Sequence, residues 1–152
     1  MSANPKTLIH RWFEEVWNQG REETIDELFA RDAIAFGLGE TEQPVHGPSE
    51  FKSFWRNLRT AIPDLTIAIQ DTIVDGDKAV VRITIEGTHM GDGLGVPANG
   101  NRINLAGIVI VYFSNGQIVR GWNSWDQLGL LRQISAAPAS SGKDRFLSRS
   151  AS

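Results

Sequence analysis

The chain has 152 residues and a formal net charge of −3, which suits one domain of ordinary size with a core that needs no covalent staples. It has no cysteine, which excludes disulfides, a thiolate nucleophile and a Cys-type zinc site. Charges of both signs are interspersed, with no basic stripe for nucleic acid and no apolar run near the ~20 residues of a membrane span. Residues 1–6 lack the apolar stretch of a signal peptide, so a cytoplasmic protein is expected.

Thr7 to Trp17 carries apolar residues in pairs, Leu8/Ile9, Trp12/Phe13 and Val16/Trp17, which predicts one helix face. Gly20 follows as its stop. Ile25, Leu28 and Phe29 form the stripe of a short second helix. Asp32 to Pro44 reads as irregular, with one strand at Ala33 to Phe36. Gly47-Pro48 opens a third helix, striped by Phe51, Phe54, Trp55, Leu58 and Ile62 and stopped by Pro63.

Beyond Pro63 the period changes to two. Strands are expected at Leu65–Val74, Ala79–His89, Ile103–Phe113 and Ile118–Trp125. Turns fall at Asp75-Gly76-Asp77 and Asn115-Gly116, and a long glycine- and asparagine-bearing loop spans Gly91–Arg102. Asp126 to Ile134 reads as a last short helix. Residues 136–152 are small, polar and weakly hydrophobic, and read as a mobile tail behind a domain of residues 1–135. Helices followed by a strand meander make an α+β domain, a curved antiparallel sheet with three helices packed in its concave face. Five tryptophans and seven phenylalanines against one tyrosine suit either a core or the wall of a pocket for a flat organic ligand.

Several segments, in order, resemble the SnoaL-like polyketide cyclases. They are the first helix Leu8 to Gly20, His46-Gly47-Pro48, Ile62-Pro63-Asp64-Leu65, Gly87-Thr88-His89-Met90-Gly91 and Gly95-Val96-Pro97-Ala98-Asn99-Gly100. The C-terminal run from Gly116 through Trp122 and Asp126 to Gly129-Leu130-Leu131-Arg132-Gln133 completes the set. The resemblance covers about residues 7–134. It implies the cone-shaped fold shared with nuclear transport factor 2 and ketosteroid isomerase. It also implies a cavity for a polycyclic or otherwise apolar ligand, and a homo-oligomer, dimer or tetramer. The characterised cyclases close a ring by intramolecular aldol addition, with an aspartate as acid/base and neither metal nor cofactor. Matched through Leu131-Arg132-Gln133, the aspartate's position here is Asn123, and that of its histidine partner is Val109. An amide cannot take a proton at neutral pH.

The candidates for chemistry each have two readings. Asn123 shares a strand face with Val119, Gly121 and Trp125; it meets a ligand or pairs with backbone. Asp126 is the nearest carboxylate, either a replacement acid/base or the N-cap of the last helix. His89 ends the apolar face of its strand as a base, or as a rim histidine bonded to the following loop. Trp17 and Phe54 match ligand-facing positions of the cyclases, and core packing accounts for them equally. Trp122 and Trp125 have opposite parity, so one of the two meets the cavity. His10 and His46 show no metal-ligand spacing.

Three functions fit these residues. The first is a cofactor-free cyclase or isomerase of secondary metabolism, with Asn123 and a tryptophan N–H as oxyanion donors and His89 or Asp126 as base. The second is a non-catalytic module that binds a small apolar molecule. The third, compatible with both, is self-association through the outer sheet face.

Overall fold

The computed structural model describes residues 4–39 and 43–136. The tail expected over 136–152 lies outside the described residues except for Ala136. The described residues form two helices, two strands, a third helix, four consecutive strands and a last helix.

The first helix starts at Pro5 behind Asn4, whose side chain accepts from the Thr7 N–H at 2.8 Å. It runs as α1 (Pro5–Arg11) and then widens into a π-helical segment, Trp12–Asn18. The sequence contains the reason. Apolar pairs recurring every four residues drift about 40° per turn on a helix of 3.6 residues per turn. A wider turn brings the last pair back, and Val16 and Trp17 end 0% and 5% exposed.

The widened end is held from two sides. The last carbonyls of a helix have no partner within it. Here Trp55 Nε1 donates to the Val16 carbonyl at 2.9 Å and Arg59 Nη1 to the Trp17 carbonyl at 2.6 Å. Asn18 then grips the sheet. Its Nδ2 donates to the Ile67 carbonyl at 2.9 Å, and its Oδ1 accepts from the Ile67 N–H at 2.7 Å.

α2 (Glu22–Leu28) is tied to α1 by Arg11, which bridges Glu15 and Glu27. It passes into β1 (Phe29–Phe36) without a loop. Phe29 therefore belongs to the strand and not to the helix stripe, and β1 begins four residues before the expected Ala33. β2 (Val45–His46) leads into α3 (Gly47–Ala61), whose Phe51 and Trp55 are buried as the stripe predicts. β3 (Thr66–Asp75), β4 (Lys78–Thr88), β5 (Arg102–Ser114) and β6 (Gln117–Trp125) form the meander, within one or two residues of expectation. Asn115 and Gly116 both take positive φ, 52° and 75°, the twist that a two-residue hairpin loop requires. α4 (Gln127–Ser135) packs against β5 and makes a fourth helix where the sheet was expected to carry three.

The strands form one curved sheet in the order β2-β1-β6-β5-β4-β3. The meander and the β1–β2 pair are antiparallel. The seam between β1 and β6 is parallel, with Phe36 beside Trp122. β5 alternates buried and exposed along its length, with Ile103, Leu105, Val109, Val111 and Phe113 turned toward the helices. β6 carries one extra residue opposite Tyr112 and Phe113, so Ile118 takes the inward place expected for Val119.

Replacing Asn18 with alanine leaves both polar groups of Ile67 without their side-chain partner. The Asn18→Ala variant is expected to lose about 1–3 kcal/mol of stability, measured as a lower midpoint of urea unfolding. An unchanged midpoint would mean that the grip on β3 contributes nothing.

Candidate functional site

Between the helices and the inner face of the sheet lies an apolar cavity of about 80 Å³. Aromatic rings from three elements build one wall. Trp12 and Trp17 come from the first helix, Phe29 from β1, and Phe51 and Phe54 from α3. Trp17 meets Phe54 edge-on, with centroids 6.3 Å apart and an interplanar angle of 78°. Trp12 lies 5.8 Å from Phe29 in a stacked arrangement. Branched aliphatic residues of β4 and β5, among them Ile83, Ile85, Leu105 and Val109, form the opposite wall. No lining side chain is ionisable.

Asn123 and Trp125 project into the cavity from the end of β6, as their parity predicts. Where the β1–β6 ladder stops at Phe36 and Trp122, side chains at alternate positions continue it. Asn123 Nδ2 donates to the Phe36 carbonyl at 2.9 Å, and Trp125 Nε1 to the Gly37 carbonyl at 3.1 Å. Gln127 Nε2 reaches the Gly37 and Gly39 carbonyls at 3.3 and 3.1 Å. Gly37 has φ +78°, and a Cβ there would stand 2.0 Å from the Asn123 carbonyl oxygen, so the two chains approach this closely only with glycine. The Asn123 amide thus pairs with backbone and lines the cavity at once. The Trp125 indole N–H and one of the two Asn123 amide N–H groups, expected as oxyanion donors, are engaged with this backbone.

The other expected residues fall elsewhere. Trp122 lies on the outer face, 44% exposed and stacked on Phe36 at 4.2 Å. Its parity is opposite to that of Trp125, so of the two expected pocket tryptophans only Trp125 lines the cavity. Asp126 is exposed and does not line the cavity; its Oδ1 accepts from the Gly129 N–H at 2.8 Å. The carboxylate is the cap of α4 and does not face the ligand space. His89 is 0% exposed and is not among the lining residues. Its backbone pairs with Asn101 and Gly100 across the base of the loop, while both ring nitrogens lack a hydrogen-bond partner among the described residues. The imidazole therefore makes no bond to the loop and has no open path to a ligand. Among the described residues no three His, Asp or Glu side chains gather as metal ligands.

Asp64 secures the loop base. Burial pushes its carboxyl up, but hydrogen bonds from the Thr88 hydroxyl and N–H at 2.8 and 2.7 Å outweigh this. With Arg102 nearby they hold it below the usual carboxylate range. This node was not legible from periodicity or spacing, because Asp64 lies in the loop before β3 while Thr88 and Arg102 come from β4 and β5.

The model of the SnoaL-like polyketide cyclases matches residues 7–134. The chain belongs to that family. Aklanonic acid methyl ester cyclase DauD of Streptomyces sp. (strain C5) is 24% identical to it over 136 residues, 86% of this chain and 82% of DauD. IdmH from Streptomyces antibioticus superposes with a TM-score of 0.76 at 27% identity, over 88% of this chain and all of IdmH. A SnoaL-like protein from Jannaschia sp. CCS1 shares the fold, with a TM-score of 0.80 at 24% identity over 88% and 93% of the two chains. Within this SnoaL-like chain, no helix among the described residues is long and apolar enough to cross a membrane.

His89 is a buried polar side chain with two unmet nitrogens, and an apolar side chain of similar size removes that deficit. The His89→Leu variant is expected to melt about 2–4 °C higher than the parent, measured by calorimetry. A lower melting temperature would show that the imidazole makes a bond that leucine cannot replace.

Proposed function

We propose that the protein binds a flat apolar molecule of the polycyclic carbonyl class in this cavity and does not act on it by acid/base chemistry. The observation that carries this reading is the wall itself, apolar and aromatic throughout except for Asn123, with no ionisable side chain. Proton abstraction next to a carbonyl needs a base within about 3 Å of the proton or one water away. Asn123, at the position the resemblance assigns to the cyclase aspartate, cannot serve. His89 and Asp126 do not line the space. The aromatic and aliphatic walls suit a flat apolar ring compound.

A second reading is favoured by membership of a cyclase family and by the likeness to DauD. In it the cavity holds a flexible polyketide folded, so that ring closure gains from proximity without a protein base. Incubation with polyketide esters and polycyclic ketones, followed by chromatography of the recovered compounds, separates the two. The expected result is a ligand that raises the melting temperature and is recovered unchanged. A cyclised product formed faster than in buffer would replace the first reading with the second, and a panel that neither binds nor reacts would reject both.

We also propose self-association through the outer sheet face. Ile108 and Ile110 of β5 are 50% and 37% exposed there, and Trp122 sits beside Ile110 across the strands. Together with Phe36 they form an apolar patch of the kind found at interfaces. The Trp122→Glu variant is expected to convert a dimer or tetramer into monomer in sedimentation velocity, while a parent protein that is already monomeric would reject the proposal.

A further inference from the structure

The cavity contains one side chain able to accept a hydrogen bond. Its walls are alkyl and aromatic, and indole nitrogens only donate; the exception is Asn123. The amide is not free to turn. Its Nδ2 is fixed by the Phe36 carbonyl at 2.9 Å, and the reverse orientation would set Oδ1 against that carbonyl, oxygen to oxygen. Oδ1 accepts no hydrogen bond among the described residues. It is also not closed off, because among the described residues only the two His89 nitrogens are both fully buried and unpartnered. Oδ1 is therefore an unanswered acceptor on a residue that lines an otherwise apolar cavity.

A ligand that fills the space must answer that oxygen. A hydrocarbon face against Oδ1 leaves a desolvated acceptor without a partner, and so does a carbonyl or ether oxygen, which brings a second acceptor. A hydroxyl satisfies it. The neighbouring donors do not alter this: Trp125 Nε1 is held by the Gly37 carbonyl and Gln127 Nε2 by Gly37 and Gly39, and the second N–H of Asn123 Nδ2 can donate to a ligand oxygen without answering Oδ1. We infer that Asn123 is a specificity-determining residue that selects apolar ring compounds carrying a hydroxyl, phenolic or enolic, directed at the end of β6. The inference rests on the reading of the cavity as a binding site for a flat apolar molecule. Within that class it names the polar group that the ligand must present, which is a donor. This reverses the role expected for Asn123 from the sequence, where it was to donate to an oxyanion.

The test uses three probes of one ring system: 2-naphthol, 2-methoxynaphthalene and naphthalene. Dissociation constants are measured by titration calorimetry at neutral pH with the full-length protein. The ether has more apolar surface than the phenol, so burial of area alone would favour it. Both compounds offer an acceptor oxygen, and only the phenol offers a proton. The expected result is that 2-naphthol binds about fivefold or more tightly than its methyl ether, the factor that one net hydrogen bond supplies. In Asn123→Leu the order reverses, with the ether and hydrocarbon binding better than the phenol. The comparison within the parent protein stands by itself if that variant does not fold. Equal or tighter binding of the methyl ether by the parent protein overturns the inference and leaves the apolar cavity in place. Failure of all three probes to bind rejects the cavity reading, and the inference with it.

Discussion

The end of the first helix fixes where everything above the sheet can lie. Three side-chain groups converge there on main chain that the helix cannot satisfy by itself. Trp55 and Arg59 of α3 take the Val16 and Trp17 carbonyls, and Asn18 binds both polar groups of Ile67 in the edge strand β3. The first connection sets the distance between the two helices, and the second sets their height over the sheet. The aromatic rings between them cannot collapse onto the strands while these bonds hold. A cavity persists because polar contacts at its margin resist the closure that apolar attraction alone would favour.

The second margin, at the end of β6, works differently. The parallel ladder gives way to side chains at alternate positions, and Asn123, Trp125 and Gln127 take over the bonding of Phe36, Gly37 and Gly39. One consequence is structural, since the loop after β1 is held down without a further strand. The other is chemical. The Trp125 and Gln127 donors and one amide N–H of Asn123 are committed to the fold, and the Asn123 oxygen is left without a partner among the described residues.

Local pattern explains how much of this was readable beforehand. The four meander strands, the stripe of α3 and the hairpin at Asn115-Gly116 follow from periodicity and turn chemistry within short windows. The parity argument placed Asn123 and Trp125 on one face and set Trp122 apart. The same argument failed at Val119, because a bulge shifts the phase by one residue. β1 was read too short because Phe29 also fits the preceding helical stripe, and only pairing with the distant β6 makes it a strand. His89 was read as a base or as a rim histidine bonded to the loop, because its face was identified correctly as buried. A sequence does not say that a buried face near a strand end lies under α3 and the loop instead of opening on the cavity. The Asp64 node was invisible for a related reason, since its members Thr88 and Arg102 are brought to it by two separate strands.

The parallel seam has a bearing on how the molecule comes into being. β6 alone joins β1 and β2 to the rest of the sheet, and it is the last strand among the described residues. Until it emerges, the N-terminal helices with β1 and the β3–β5 meander are two pieces with no strand pairing between them. During synthesis the aromatic layer of α1 and α3 must wait for most of the chain before its floor is complete. Contacts of such long sequence separation slow folding and extend the life of exposed apolar surface. The same rings that wall the finished cavity are thus the nascent chain's greatest hazard, and β6 is the piece that ends it.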